Sequence, residues 1–179
     1  MKDKRAQDEV LRMHDQLKRA FEGTAWSGPA VLGTLRGVTA ARAMHRPIPK
    51  AHSIWEITLH IAAWEEAVRR RLGGERWSPG RAENFPKIAD PSPRAWQAAR
   101  KKLIAGHQAL RETVLRLRDA DLGRIPVPGG SATAYMQIHG IIQHDLYHAG
   151  QIAILRKGKP PVAVRPPAKP RKTGRRKSR

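Results

Sequence analysis

The chain has 179 residues, of which 40% are hydrophobic and none is cysteine. This length suits one domain with a buried core, and the lack of cysteine excludes disulfides and thiolate metal ligands, so that any metal site must use His, Asp or Glu. The charged start lacks the apolar segment of a signal peptide, and no run of about 18 apolar residues occurs that would span a membrane. We therefore expect a cytoplasmic protein without a membrane segment.

The net charge of +20 is concentrated at one end of the chain. Residues 157–179 contain ten Lys/Arg and no acid, whereas residues 1–156 contain 25 Lys/Arg against 15 Asp/Glu, a net charge of +10. The terminal segment is rich in proline and poor in apolar groups, so it cannot bury enough surface to offset its ordering entropy. The composition predicts a domain over 1–157 and a disordered basic tail over 158–179.

Helical periodicity starts near the beginning of the chain and recurs along it. A first helix is predicted over 5–22 and a short one over 29–38. Two prolines then interrupt the chain before a second long helix, predicted over 53–73. Ser53 and Glu56 at its start form the pattern of a capping box, in which each side chain accepts a hydrogen bond from the other residue's backbone.

The second half of the chain contains two more helices. A long loop with three prolines covers 74–91, and a loop of that length in a small domain is often a lid or a wall of a site. Ser92 and Pro93 then suit the cap and the first position of a helix predicted over 92–118. The last helix is predicted over 132–157. With no internal repeat and no convincing strand pair, these elements predict an all-α four-helix bundle.

Arg69, Arg70 and Arg71 fall in the last turn of the second long helix. Cations are favoured there by the helix dipole, which is a sufficient reason for all three. A role in binding the anion of a substrate is the alternative.

Three of the eight histidines are placed where they would meet in the bundle. His144 and His148 are four residues apart on the last helix and therefore point the same way. His60 lies at the edge of the apolar stripe of the second long helix. Three imidazoles from two helices are the ligand count of an open divalent-metal site. The alternative for each is a core histidine with one hydrogen bond.

The remaining candidates have simpler interpretations. A carboxylate-rich di-metal centre would need more Glu-x-x-His patterns than the chain contains, and Glu56 is explained by the capping box. Asp145 either orients a neighbouring histidine or faces solvent. Five histidines lack a partner four residues away and are interpreted as surface or cap residues: His14, His45, His52, His107 and His139.

Several stretches resemble the DinB/YfiT-like superfamily: WSGPAVLGTLRGV (26–38), HSIWEITLHIAAWEEAVRRRL (52–72), NFP (84–86) and HDLYHAGQIAILRK (144–157). The resemblance covers nearly all of 5–157 and leaves out the tail. It implies an up-down-down-up four-helix bundle, often a homodimer, with one divalent metal ion held by three histidines that correspond to His60, His144 and His148. Members of this family include thiol-dependent transferases and isomerases as well as presumed metal-dependent hydrolases.

Two classes of function follow from these features. The first is a metal-dependent transferase (thiol-dependent) or hydrolase of a small molecule, with Zn, Ni or Fe at the three histidines and Gln151 as a substrate contact or a helix-packing residue. The second is a non-enzymatic bundle that oligomerises or binds nucleic acid weakly and without sequence preference through its basic tail. In the first case, replacing His60, His144 or His148 by Ala lowers the amount of bound metal, whereas His107→Ala does not.

Overall fold

The structure, a computed structural model, describes residues 8–159. The predictions for residues 1–7 and for the tail from 160 onward lie outside this range. In chain order the elements are α1 (Asp8–Phe21), β1 (Thr24–Ala25), β2 (Gly28–Pro29), α2 (Val31–Leu35), α3 (Ala40–Met44), α4 (Ile54–Leu72), α5 (Arg81–Asn84), α6 (Pro93–Leu115), α7 (Asp119–Leu122) and α8 (Ala134–Lys157).

The four long helices, α1, α4, α6 and α8, confirm the predicted all-α bundle. Their caps explain where two of them begin. Ser53 Oγ accepts from Glu56 N at 3.2 Å while Glu56 Oε2 accepts from Ser53 N at 2.8 Å, which completes the predicted capping box. Ser92 Oγ accepts from Ala95 N at 3.2 Å, ahead of Pro93 in the first turn of α6. None of the helices between residues 8 and 159 has an apolar stretch long enough to cross a membrane.

Two apolar cores are stacked along the bundle, and they give the direction of each long helix. One core contains the beginnings of α4 and α6 and the end of α8, with Trp55, Trp96 and Ile152 among its residues. The other contains most of α1, the beginning of α8 and the ends of α4 and α6, with Leu17 and Ile138. Therefore α4 and α6 run parallel to each other and opposite to α1 and α8, which is the up-down-down-up order.

The parallel pair α4 and α6 requires a connection that returns along the length of the bundle. Residues 73–92 form this connection, and its middle carries the short helix α5. The topology of the bundle thus requires the predicted loop. The loop passes the side of α4 that bears His60, as shown by the 3.0 Å between His60 Nδ1 and the Asn84 carbonyl oxygen.

The smaller elements differ from the predictions in detail. The predicted helix over 29–38 is reduced to α2, because Gly28 and Pro29 pair with Thr24 and Ala25 in a two-stranded antiparallel ribbon. A further helix, α3, follows it, with Thr39 Oγ1 accepting from Arg42 N at 3.2 Å. The predicted third long helix ends at Leu115 rather than 118.

Candidate metal centre

His60, His144 and His148 meet at one point between α4 and α8. The Nε2 atom of His144 lies 3.0 Å from Nε2 of His60 and 3.1 Å from Nε2 of His148. His60 and His148 are each 6% exposed, and His144 is partly buried. The three nitrogens lie close enough together to hold one metal ion. The structure thus brings the three predicted ligands together.

The outer nitrogens of two of these rings are occupied by acceptors. His60 Nδ1 faces the Asn84 carbonyl oxygen, which can only accept, so that Nδ1 carries the proton. His148 Nδ1 lies 2.7 Å from Gln151 Oε1, while the amide nitrogen of Gln151 donates to the Tyr147 hydroxyl. In the neutral rings the Nε2 atoms of His60 and His148 are therefore unprotonated, and each carries a lone pair. The three converging nitrogens share at most one proton, which is the arrangement that a cation satisfies.

Burial keeps these rings neutral. It lowers the pKa of His144 to about 4. It also lowers the pKa of His148 to about 4, with a smaller contribution from the neighbouring His144. Burial lowers the pKa of His60 as well, although the hydrogen bond to Asn84 acts in the opposite direction. Because only neutral imidazole binds a metal, the folded protein presents the ligands in the required form at neutral pH.

The connection between α4 and α6 supports the His60 ring from outside the helix pair. Phe85 stacks on His60 with ring centroids 4.2 Å apart, and His52 stacks on the other side of Phe85 at 3.6 Å. Trp64 Nε1 donates to Asn84 Oδ1 at 2.8 Å. Asn84 thus fixes both the tautomer of His60 and the indole one turn along α4.

A second polar cluster, Glu65, His107 and Asp145, lies in the interior next to the triad. Glu65 and Asp145 are fully buried and His107 is 2% exposed. His107 Nδ1 lies 2.7 Å from Glu65 Oε1, while Glu65 Oε2, His107 Nε2 and both Asp145 oxygens lack hydrogen-bond partners among the described residues. Burial raises the pKa of both carboxyls well above their ordinary values and lowers that of His107 to about 3.

This cluster corrects two interpretations of the sequence. His107 is a core residue stacked on Phe21 at 3.7 Å between ring centroids, so its interpretation as a surface or cap residue is wrong. Asp145 does not face solvent. Its Oδ1 lies 3.7 Å from Nδ1 of His144, and both atoms are buried without a hydrogen bond. The remaining alternative, a carboxyl group beside the outer nitrogen of a candidate ligand, is the one that the geometry favours.

The sequence contains a signal for this cluster that the pattern of histidines alone misses. Glu65 continues the buried spacing of Ile61 and Val68 on α4, and His107 continues that of Leu103 and Leu110 on α6. A polar residue in phase with an apolar stripe is a buried polar residue, and it requires a partner from a neighbouring helix. Asn84 and Phe85 carry no comparable signal, since their contacts with His60 arise from the path of a loop.

A family model of the DinB superfamily matches residues 24–152. The chain belongs to the DinB superfamily. No curated protein and no solved structure matches it significantly. The matched range includes His60, Glu65, His107 and the two histidines of α8, so the candidate metal centre of this DinB protein lies within the family domain.

Proposed function

We propose that this DinB protein binds one divalent metal ion, Zn, Ni or Fe, through Nε2 of His60, His144 and His148, and that it is a metal-dependent transferase or hydrolase of a small molecule. The observation that carries the proposal is the convergence of three Nε2 atoms, with that of His144 within 3.1 Å of the other two and at most one proton among them. Imidazole ligands suit these metals, and three of them leave a coordination position for a reactant.

A divalent ion held there would act as a Lewis acid toward a water molecule or a thiol. The protein's own residues hold the ligands neutral, fix the tautomers of His60 and His148, and exclude water from the Asp145 side of the centre. Since the chain contains no cysteine, a thiol nucleophile would have to come from a cosubstrate. This favours a thiol-dependent transferase if sulfur chemistry is involved, and a hydrolase otherwise.

The position of Gln151 bears on its proposed role as a substrate contact. Its amide oxygen lies 2.7 Å from His148 Nδ1 and its amide nitrogen donates to Tyr147 Oη at 3.0 Å. Because both ends of the amide are engaged, we propose that Gln151 orients a metal ligand and does not contact the substrate.

Metal content tests the proposal directly. The protein is purified without chelator, and bound metal is measured by elemental analysis for the parent and for the His60→Ala, His144→Ala and His148→Ala variants. Each variant is expected to lose most of its metal and also the gain in melting temperature that added zinc gives the parent. Since His107 is buried in the core, the better control is His45→Ala at the C-terminal end of α3. Parent-like metal content in His148→Ala would refute the site.

The alternative, a nucleic-acid-associated role, rests on the composition of residues 157–179. Ten cations without an acid would bind a polyanion by releasing its counterions, so the affinity should fall steeply with salt. A gel-shift titration of full-length protein against a chain ending at Lys159, at low and high salt, tests it. Equal affinity of the two chains for duplex DNA at low salt would end this alternative.

A further inference from the structure

A cavity of about 320 Å³ opens beside the metal centre, between α4 and α8. His144 lines one part of it, and the remaining lining residues are Trp64, Val68, Arg71, Ala132, Gln137, Gly140 and Ile141. We propose that this cavity binds the substrate, and that the substrate is a small carboxylate with an apolar body whose carboxylate is held by Arg71. The proposal rests on the proposed function for its link to the metal, and on the cavity alone for its ligand.

The charge of the cavity favours an anion. Among the described residues that line it, Arg71 is the only Lys, Arg, Asp or Glu. Arg69 and Arg70 both pair with Glu66, at 2.7 and 2.9 Å. Within residues 8–159, Arg71 forms no salt bridge, so its guanidinium retains an uncompensated charge at the cavity.

Arg71 is also held in place for binding. Its Nε donates to the Trp77 carbonyl oxygen at 2.8 Å and its Nη2 donates to Ser78 Oγ at 2.9 Å. Its Cζ lies 5.5 Å from the centroid of the Trp64 ring, which lines the same cavity. Two anchored N–H groups and an aromatic face fix the plane of the guanidinium, while Nη1 forms no hydrogen bond within the described part of the chain. A fixed guanidinium binds a carboxylate with little loss of side-chain entropy.

The other walls determine the rest of the ligand. Trp64, Val68 and Ile141 provide an apolar surface, and Gly140 leaves room along α8, because a Cβ atom there would meet nothing within 4 Å. Gln137 is 9% exposed and its buried Oε1 lacks a hydrogen-bond partner among the described residues. A buried amide oxygen without a hydrogen-bond partner lowers the stability of the fold, and a hydrogen-bond donor of the ligand would supply that partner.

The length of the cavity matches a ligand with two functional ends. Gln137 and His144 are seven residues apart on one helix, which corresponds to about 10 Å along its axis. Arg71 lies two turns beyond Trp64 on α4, and its side chain leans back over that ring. A carboxylate at Arg71 therefore places the far end of a phenylalkanoate-sized molecule beside His144 and the metal centre.

The simpler explanation is that Arg71 has only a structural role, in which it favours the C-terminal end of α4 by its charge and anchors the loop by its hydrogen bonds to Trp77 and Ser78. The two explanations differ in what they predict for ligand binding. We therefore suggest calorimetric titration of full-length protein with phenylacetate, 3-phenylpropionate and 4-phenylbutyrate, and with the corresponding neutral amides. Each titration is made with metal-free and with zinc-loaded protein, because a carboxylate can also ligate zinc.

Four variants assign the binding to this cavity. Arg71→Gln removes the charge, with Arg70→Gln as the matched control one residue earlier. Gly140→Leu fills the cavity without a backbone clash, with Gly150→Leu on an exposed part of the same helix as its control. In metal-free protein we expect the carboxylates to bind more tightly than the amides, and this preference to fall about tenfold or more in Arg71→Gln. Gly140→Leu should abolish binding of both, whereas the two controls should resemble the parent.

The outcomes separate this proposal from the metal proposal. Three results overturn the ligand assignment, whatever the metal content. The first is equal carboxylate binding by Arg71→Gln and Arg70→Gln, and the second is equal binding of acid and amide. The third is that none of the three acids binds. Binding that follows Arg71 in a chain that takes up no zinc supports the cavity and refutes the metal centre. Binding that occurs only with zinc and ignores Arg71 places the carboxylate on the metal and also overturns the assignment.

Discussion

The Nδ1 atom of His107 lies 2.7 Å from Oε1 of Glu65, at the level where the two apolar cores of the bundle meet. Asp145 is buried at the same level. Each of the three residues interrupts the apolar stripe of its own helix at this level. Burial raises the pKa of both carboxyls well above their ordinary values and lowers that of His107 to about 3, so that neutral His107 donates to Glu65. This layer of three buried polar residues crosses the interior, and Asp145 at its end lies 3.7 Å from Nδ1 of His144.

Truncation of Glu65 is expected to be costly. Glu65→Ala leaves a cavity and removes the acceptor of His107, so the free energy of unfolding should fall by about 2–4 kcal/mol. Glu65→Gln keeps an acceptor for His107 and removes the ionisable group, so it should remain within about 1 kcal/mol of the parent. Urea denaturation at pH 7 measures both. Glu66→Ala, which removes partly exposed salt bridges, is the control, and equal losses in Glu65→Ala and Glu66→Ala would contradict this view.

The pKa of His107 predicts how stability depends on pH. Its folded pKa of about 3 is below the ordinary 6.5, so the unfolded chain binds the proton first as the pH falls. This residue's contribution is complete above pH 6.5 and is lost between about 6.5 and 3. The raised pKa values of Glu65 and Asp145 act in the opposite direction, because the folded state keeps their protons as the pH rises above the ordinary pKa values of 4.5 and 3.8.

The contribution of His107 is isolated by His107→Gln, which keeps a donor for Glu65 but does not titrate. Between pH 7 and 5 the parent should lose about 2 kcal/mol more than this variant, on the basis of 1.4 kcal/mol per pH unit below 6.5. Urea denaturation of the metal-free proteins at both pH values measures the difference. A parallel pH dependence of the two proteins would show that His107 is not held neutral in the core.

Zinc binding should resist acid. Because His144 and His148 lose their protons near pH 4 in the folded protein, protons hardly compete with the metal between pH 7 and 5.5. Two imidazoles with the ordinary pKa would weaken binding about 70-fold over this interval. We expect less than about a fivefold change in the affinity for zinc, measured by competition with a chelator of known pH dependence. A synthetic peptide of residues 140–155, with the same two histidines exposed, should show the steep loss that the protein does not.

Gln151 should affect metal affinity although it is not a ligand. Removing the acceptor of His148 Nδ1 frees the ring to rotate and to change its tautomer, so Gln151→Ala should weaken zinc binding about tenfold. Gln151→Glu keeps the acceptor and should bind zinc at least as tightly as the parent. Gln143→Ala, at an exposed position of α8, is the control. The affinity for zinc is measured by the same chelator competition at pH 7. A parent-like affinity in Gln151→Ala would show that Gln151 serves helix packing alone.

The homodimer remains a prediction, and α8 offers a surface for it. Tyr147 and Ile154 are 64% and 60% exposed and lie two turns apart on one face of that helix. Contiguous exposed apolar patches mark interfaces, and we propose that these two side chains belong to one. We expect a dimer at micromolar concentration in sedimentation equilibrium, and a monomer for Ile154→Glu, which places a charge in the interface. Leu11→Glu, at a half-exposed position of α1, should leave the mass of the dimer unchanged.

The long helices and the shared face of the two α8 histidines can be predicted from the sequence because interactions between residues close in sequence determine them. The 3.6-residue period, the Ser53–Glu56 capping box and Pro93 after Ser92 each act within one or two turns, so the bounds of the helices follow from residues close in sequence. The same period places His144 and His148 on one side of α8. His60 on α4 also follows as a candidate ligand, since it borders the apolar stripe that must face the other helices.

Only the tertiary structure decides what meets these residues. Whether His107 faces water or Glu65 depends on how far α6 is rotated and shifted against α4, and no pattern within either helix specifies that rotation. The contact of Asn84 with His60 depends on the path of the loop that the parallel pair α4 and α6 requires, and the position of Arg71 over Trp64 depends on the same loop. The sequence by itself determined which side chains are available for a metal, whereas packing between distant segments determined their tautomers, their protonation and the cavity beside them.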